Sequence, residues 1–284
     1  MSAPITEPGV YDLPADVYHA DPVEGGSLSS TGARRLLDMP PKRWRYEQEH
    51  PSAPTAAMVL GTAVHTMVLG AGPKVARVES SSWQTKVAKA AKAEAKEAGQ
   101  VALLAADYER AEAMAAAVLD HPVASALFDP ARGRAEQALV WRDDDTGVWR
   151  RALVDHLPHE ATNGVHILAD LKTTEDAAPS VRAVGKSVAK FGYHQQAAWY
   201  LDGYRALRGG DPGFVFVFVE KHPPHLVSVI ELDQPALIVG AELNRRAMEI
   251  WRDCREAGVW PGHSPEIELV GLPAWASARL EEPF

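Results

Sequence analysis

A chain of 284 residues, 46% apolar and 24% charged, can bury a full hydrophobic core as one elaborated domain or two small ones. Its net charge of −9 argues against a protein that coats nucleic acid by bulk charge, though not against an enzyme with a local basic groove beside an acidic site. The single cysteine, Cys254, excludes an internal disulfide and any multi-cysteine zinc or iron–sulfur site. No apolar run approaches the roughly 20 residues of a membrane span, and Met-Ser-Ala-Pro-Ile-Thr-Glu-Pro has no leader-like region, so a cytoplasmic setting is expected.

Residues 1–26 are rich in Pro, Gly and acidic residues and read as an extended arm, with one short strand near Gly9–Tyr11. Ser27-Leu28-Ser29-Ser30-Thr31-Gly32 offers several helix N-caps. The spacing predicts a helix over 31–38, stopped by Met39-Pro40-Pro41. The cluster Lys42, Arg43, Trp44, Arg45 is open to two readings, a phosphate contact or a short solvated helix with Trp44 in the core, the second being the commoner. Residues 55–69 form an apolar helix, expected to be buried most of the way round. It carries His65, and a lone histidine there is by itself most often a hydrogen-bonded core residue.

Residues 83–98 read as a helix carrying charges of both signs, broken by Gly99. Lys86, Lys89, Lys92 and Lys96 share one face of it; a charge-laced exposed helix is the commoner explanation, DNA contact the other. A second helix is expected over 107–119. Residues 135–141 and 148–157 then read as a β-hairpin around the turn Asp143-Asp144-Asp145-Thr146-Gly147, whose acidic run lacks the distal Glu of a calcium loop. Residues 165–171 are a third strand. The segment 179–190 carries Arg182, Lys186 and Lys190 without an acidic residue, a candidate DNA-binding stretch. A helix over about 194–207, a strand over 214–219 buried on both faces, a partner over 226–232 and a helix over 235–257 follow, before an irregular Pro-rich tail over 259–284.

The expected fold is therefore α/β or α+β with a mixed central sheet flanked by helices: a single domain over 27–258, with a helical part (27–130) and a sheet-bearing part (131–258). Its chemistry concentrates in 136–200. Asp155 ends the run Arg151-Ala152-Leu153-Val154, and Asp170 ends Val165-His166-Ile167-Leu168-Ala169, so both carboxylates are expected at the ends of neighbouring strands. Hard divalent cations take such oxygens together with waters and a substrate phosphate, and the carbonyl of Leu171 is a further candidate ligand. Lys172, two residues after Asp170, points to the same strand face, where it can orient the attacking water or balance developing charge. Gln196 and Tyr200 share a helix face.

Asp155…Asp170-Leu171-Lys172-Thr173-Thr174 resembles the signature of the PD-(D/E)XK nuclease superfamily. Gly192-Tyr193-His194-Gln195-Gln196-Ala197-Ala198-Trp199-Tyr200-Leu201-Asp202-Gly203 resembles the RecB-type motif of RecE-like phage exonucleases (exodeoxyribonuclease VIII type). Leu28-Ser29-Ser30-Thr31-Gly32 and Gly61-Thr62-Ala63-Val64-His65 resemble that family's opening and its Gly-Thr-x-x-His helix. The similarity covers most of 10–255. It implies a PD-(D/E)XK restriction-endonuclease-like core in which His65, Asp155 and Asp170 hold metal, Lys172 is the catalytic lysine, and Glu136 lies in the outer part of the site. It also implies that Gln196 and Tyr200 support the site and touch DNA. Val154 stands where the family often has Pro, which affects only the local turn.

The same resemblance implies an Mg2+-dependent exonuclease on linear double-stranded DNA ends, 5′ to 3′, with Mn2+ as a substitute metal. A ring-like homo-oligomer such as a tetramer, a single-strand annealing partner and a phage recombination role come with it. No iron–sulfur cluster is expected, and no Gly-x-x-x-x-Gly-Lys-Ser/Thr pattern for ATP occurs. The alternatives are an endonuclease or CRISPR-adaptation-type nuclease on the same fold, and a non-catalytic DNA-binding or assembly protein. Intact Asp155, Asp170 and Lys172 weigh against the last.

Overall fold

Period-two alternation builds the centre of the molecule. The computed structural model describes residues 3–273 other than Glu160 and Asn163. In chain order the elements open with β1 (Gly9–Asp12), α1 (Ala15–His19), β2 (Leu28–Ser29), α2 (Ser30–Asp38), α3 (Pro41–Glu49) and α4 (Ala56–Leu69). Next come β3 (Val75–Val78), α5 (Lys86–Glu97), β4 (Val101–Leu104), α6 (Ala105–Asp120) and α7 (Pro122–Leu127). The sheet-bearing part holds β5 (Gly133–Arg142), β6 (Trp149–Pro158) and β7 (Ile167–Thr174), then a π-helical turn over Val181–Gly185, α8 (Lys186–Phe191) and α9 (Tyr193–Arg208). β8 (Gly213–Glu220), β9 (Val227–Glu231) and α10 (Gln234–Ala257) complete it.

The sheet runs β1-β5-β6-β7-β8-β9, with β2 added to β6. Only the β7–β8 and β2–β6 pairs are parallel, so the sheet is mixed, as expected. β7 and β8 are joined across one face by α8 and α9, the crossover that a parallel pair requires. Alternate residues of these strands feed two cores. Leu168, Phe214, Phe216 and Phe218 pack with α2, α9 and α10. Ala169, Leu171, Val217 and Val219 pack on the other face with α4 and α6.

Several expectations change on contact with the structure. The N-terminal arm is part of the sheet, because β1 pairs with β5 over four residues, and it carries the short helix α1. Arg151 clamps it: its Nη1 donates to Ser27 O and Ser27 Oγ, each at 2.8 Å, and pairs with Asp21 at 3.1 Å. α3 is a helix with Trp44 buried, its Nε1 donating to Gly32 O at 2.9 Å and its ring stacked on Trp260 of the tail. The tail is otherwise irregular to residue 273, and 274–284 lie outside the described residues, as do Met1 and Ser2.

α4 is not buried all round: Leu60, Ala63, Val64, Val68 and Leu69 are buried, while Met58 is exposed. Gly61 instead faces Thr173, and His65 faces Asp155. β3 and β4 were not expected. Each is four residues long, and they pair in parallel only because α5 crosses between them. Nor was α7, a six-residue helix capped by His121. The third strand begins at Ile167 rather than Val165, because Val165 closes a tight turn with Thr162. It continues through polar Thr173 and Thr174 because parallel pairing with β8 extends to Thr174↔Glu220. Among the described residues no helix is long and apolar enough to cross a membrane.

Candidate active site

β6 and β7 meet at one residue pair, His156↔Ala169, and part beyond it. In the gap Asp155 Oδ2 accepts the N–H of Leu171 at 2.8 Å, a side chain standing where a ladder bond would be. The N–H and C=O of one strand residue point to the same edge, so the Leu171 carbonyl also faces the gap. Asp155 and Asp170 thus lie inside their strands, not at the strand ends, and the divergence of those strands opens the space beside them.

On the α9 side, Asp170 is 2% exposed and its Oδ1 accepts from Gln196 Nε2 at 2.5 Å. Its Oδ2 has no well-aligned hydrogen bond and is in ionic contact with the Lys172 ammonium. That contact confirms that Asp170 and Lys172 share a face. Lys172 also lies over the rings of Tyr193 (5.2 Å) and Phe216 (5.9 Å). Burial works against its charge, but Asp170, Asp155 and Tyr193 together outweigh that and raise its pKa, so it stays an ammonium.

On the α4 side, His65 Nδ1 is 3.3 Å from Asp155 Oδ2. The β5–β6 register passes from Ala135↔His156 to Gln137↔Val154, leaving Glu136 opposite Asp155 and outside the ladder, with φ of +49°. Glu136 is half-buried; burial raises its pKa and His65 works against that shift. Its carboxylate packs against Gly72, where an added Cβ would lie 3.2 Å from Oε1.

The donor set fits a hard divalent cation. Burial and the negative charge of Asp170 push the Asp155 carboxyl up to about 6, against the pull of His65, Lys172 and the Leu171 N–H. Two buried carboxylates repelling each other form a pocket that positive charge stabilises. Among the described residues no three His, Cys, Asp or Glu side chains are drawn together into a complete metal cage. This does not count against Mg2+, which commonly uses one or two carboxylates and keeps its waters.

Gln196 and Tyr200 are 5% and 7% exposed. Their expected support of the site is visible in the Gln196–Asp170 bond, but neither offers DNA an open surface. Arg182, Lys186 and Lys190 are all exposed, on the π-helical turn and α8 beside the site.

Two residues at the site escaped the sequence reading. Arg34 of α2 donates to Phe191 O at 2.7 Å and reaches Gly192 O and Thr31 Oγ1. Its charge is felt by Tyr200 and Tyr193, and it is itself influenced by Asp170. Gly192 has φ of +64°, and a Cβ there would lie 2.6 Å from Arg34 Cδ, which is why a glycine opens the α9 motif. The signal for Arg34 was a basic residue three after Thr31 in the first turns of α2, readable only with α2 set against the junction of α8 and α9. The second is Tyr193, seen in the motif but given no role; its ring borders Lys172.

With this geometry in place, comparison with known proteins is informative. Residues 37–273 match the family described as a PDDEXK-like domain of unknown function (DUF3799). A crystal structure from Eubacterium rectale, described as a "Putative exonuclease", is similar over 95% of this chain and 98% of its own, with a TM-score of 0.67 and 13% identity. No curated protein matches the chain. The mixed sheet with helices on both faces is accordingly a PD-(D/E)XK-type fold.

Proposed function

This chain belongs to the DUF3799 family of PDDEXK-like domains, and from that premise we propose that it is a metal-dependent deoxyribonuclease. The observation that carries the proposal is the strand gap, where Asp155 and Asp170 arrive from opposite sides with the Lys172 ammonium in contact with Asp170. A domain kept only for binding has no need of two mutually repelling buried carboxylates.

A divalent cation there, Mg2+ or in its place Mn2+, would be held by Asp155, Asp170 and the Leu171 carbonyl, with His65 alongside, and would supply charge neutralisation at the scissile phosphate and a water of lowered pKa. The chain's own residues do the rest. Gln196 holds Asp170 in one orientation through Oδ1. The Leu171 N–H does the same for Asp155. Lys172, a persistent ammonium, donates to the attacking water or to the phosphoryl oxygens on which charge develops; its raised pKa makes it a poor general base. Glu136 stands at the outer rim. Arg182, Lys186 and Lys190 offer three exposed cations to the phosphates of the bound strand.

The finer reading is an ATP-independent exonuclease acting on linear double-stranded DNA, 5′ to 3′. It is supported by the RecE-type motif around Gln196 and Tyr200 and by the name given to the Eubacterium rectale neighbour. An oligomeric ring, a single-strand annealing partner and a role in phage-type recombination belong to the same reading.

The test is digestion of 5′-labelled linear duplex beside closed circular duplex, with Mg2+, without ATP, and with an EDTA control. Loss of the linear DNA alone, with early release of 5′ label, is expected. Cutting of the circle would replace the exonuclease with an endonuclease. No cleavage with Mg2+ or Mn2+ would overturn the nuclease and leave a binding protein.

A further inference from the structure

α5 crosses between β3 and β4, a small parallel pair packed through Leu103 onto the same core as α4, the helix that carries His65. Ala88 and Ala95 bury its inner face. Outward it presents Lys86, Lys89, Lys92 and Lys96, all exposed, within an arc of roughly 120° at about 100° per residue. Glu97 falls about 20° and Glu94 about 80° outside that arc.

The ordinary explanation of such a stripe is a helix laced by i, i+4 ion pairs. α5 has none to form, since at spacings of three and four its lysines meet only lysines and uncharged residues. α3 pairs Arg43 with Glu47 and Arg45 with Glu49, and α6 pairs Arg110 with Asp107. Among the described residues none of the four α5 lysines has an acidic partner within 4.0 Å. Lys92 alone has a neighbour of note, the ring of Trp83 at 4.8 Å. A chain of net charge −9 thus keeps four lysines together and unpaired on one helix.

The spacing has a natural counterpart. Lys86 to Lys96 spans about 15 Å of helix, the axial rise of four to five phosphates on one strand of a duplex. The other unpaired basic stretch, Arg182–Lys186–Lys190, belongs to the layer on the opposite face of the sheet, since Val184 and Val188 join the α9–α10 core while Leu103 joins that of α4 and α6. The carboxylates lie between the two layers.

We propose that the lysine face of α5 is a second phosphate-backbone contact, holding duplex DNA from the α4 side of the site while the α8 stretch holds it from the other. This rests on the nuclease reading for its purpose, but its test does not depend on catalysis.

Binding of a labelled duplex to the full chain would be measured in EDTA across a salt series, for the wild type and for the Lys86→Gln/Lys89→Gln/Lys96→Gln variant. A Glu94→Gln/Glu97→Gln variant serves as control. Each lost phosphate contact lowers the slope of log K against log salt by about 0.9. The triple variant is expected to lose two to three from that slope and at least tenfold in affinity at low salt, with the control at or above wild type. Hydrolysis of a small activated phosphodiester by the triple variant, with Mg2+, is expected to match wild type. An unchanged slope and affinity would overturn the proposal, as would a change in oligomeric state without a change in DNA binding, which would assign the stripe to an acidic face of a second copy. If the wild type cleaves no DNA with Mg2+ or Mn2+ but the slope still falls, the nuclease reading fails and the binding surface stands.

Discussion

Gln196 Nε2 donates to Asp170 Oδ1 at 2.5 Å, joining the first turn of α9 to the middle of β7 and leaving the buried Oδ2 as the oxygen of that carboxylate without a hydrogen-bond partner. The helix motif and the strand motif are therefore one device. Gln196→Ala frees Asp170 to rotate, and loss of a group that orients a metal ligand typically costs 10- to 100-fold. A fall of that size in Mg2+-dependent cleavage is expected, partly recovered by raising the metal concentration. A metal titration of the cleavage rate checks it, and wild-type rates in Gln196→Ala would show that Asp170 needs no such support.

Asp155→Asn separates function from stability. The amide oxygen can still accept from Leu171 N–H, but the charge that repels Asp170 is gone. Cleavage should vanish. In EDTA the melting temperature should rise, by about 2–4 °C if the relief is about 1 kcal/mol. The Mg2+-induced increase in melting temperature seen with wild type should shrink as well. Thermal melts with and without Mg2+ measure both, and a lower melting temperature in EDTA would contradict the repulsion.

Gly203 tests packing away from the site. A Cβ there would lie 2.7 Å from the Trp141 ring, which packs edge-on against Trp199. The Arg150 guanidinium is 4.7 Å from the Trp141 ring and 4.0 Å from the Trp199 ring, paired to Asp143 and Asp202, so the Trp141 ring is enclosed. Gly203→Ala should cost about 1–3 kcal/mol in denaturant unfolding, with cleavage by the folded fraction unchanged. A neutral result would mean that the Trp141 ring moves freely.

Tyr18 makes the arm pH-sensitive. Burial pushes its phenol up to about 12, against the attraction of Arg151. The unfolded chain releases this proton near pH 10 and the folded chain only near 12, so the unfolded state binds fewer protons between those values and stability falls as pH rises through them. The loss amounts to about 2–3 kcal/mol for this group. Tyr18→Phe should flatten that part of the alkaline stability curve relative to wild type, as read by denaturant midpoints from pH 8.5 to 11. Parallel curves would show that Tyr18 ionises normally.

Much of this was visible before any coordinates. The hairpin pattern over 135–157, the solid apolar run over 214–219 and the cap candidates around Ser29 are local patterns, and local patterns fold locally. They carried most of the element order, the mixed sheet and the shared face of Asp170 and Lys172, but put Asp155 and Asp170 at strand ends where the structure sets them inside. β3 and β4 were hidden because four residues are too few to show a period, and the Val165 boundary because a turn residue and a strand residue look alike when both are valine.

What the chain alone determined was which side chains are available and on which face of its own element each one lies. Tertiary structure decided what they meet. The parting of β6 and β7 after one residue pair, the seating of Arg34 on Gly192 and the burial of Tyr200 all depend on elements distant in sequence coming together. No pattern within one element encodes such a contact, because its free energy belongs to both partners at once.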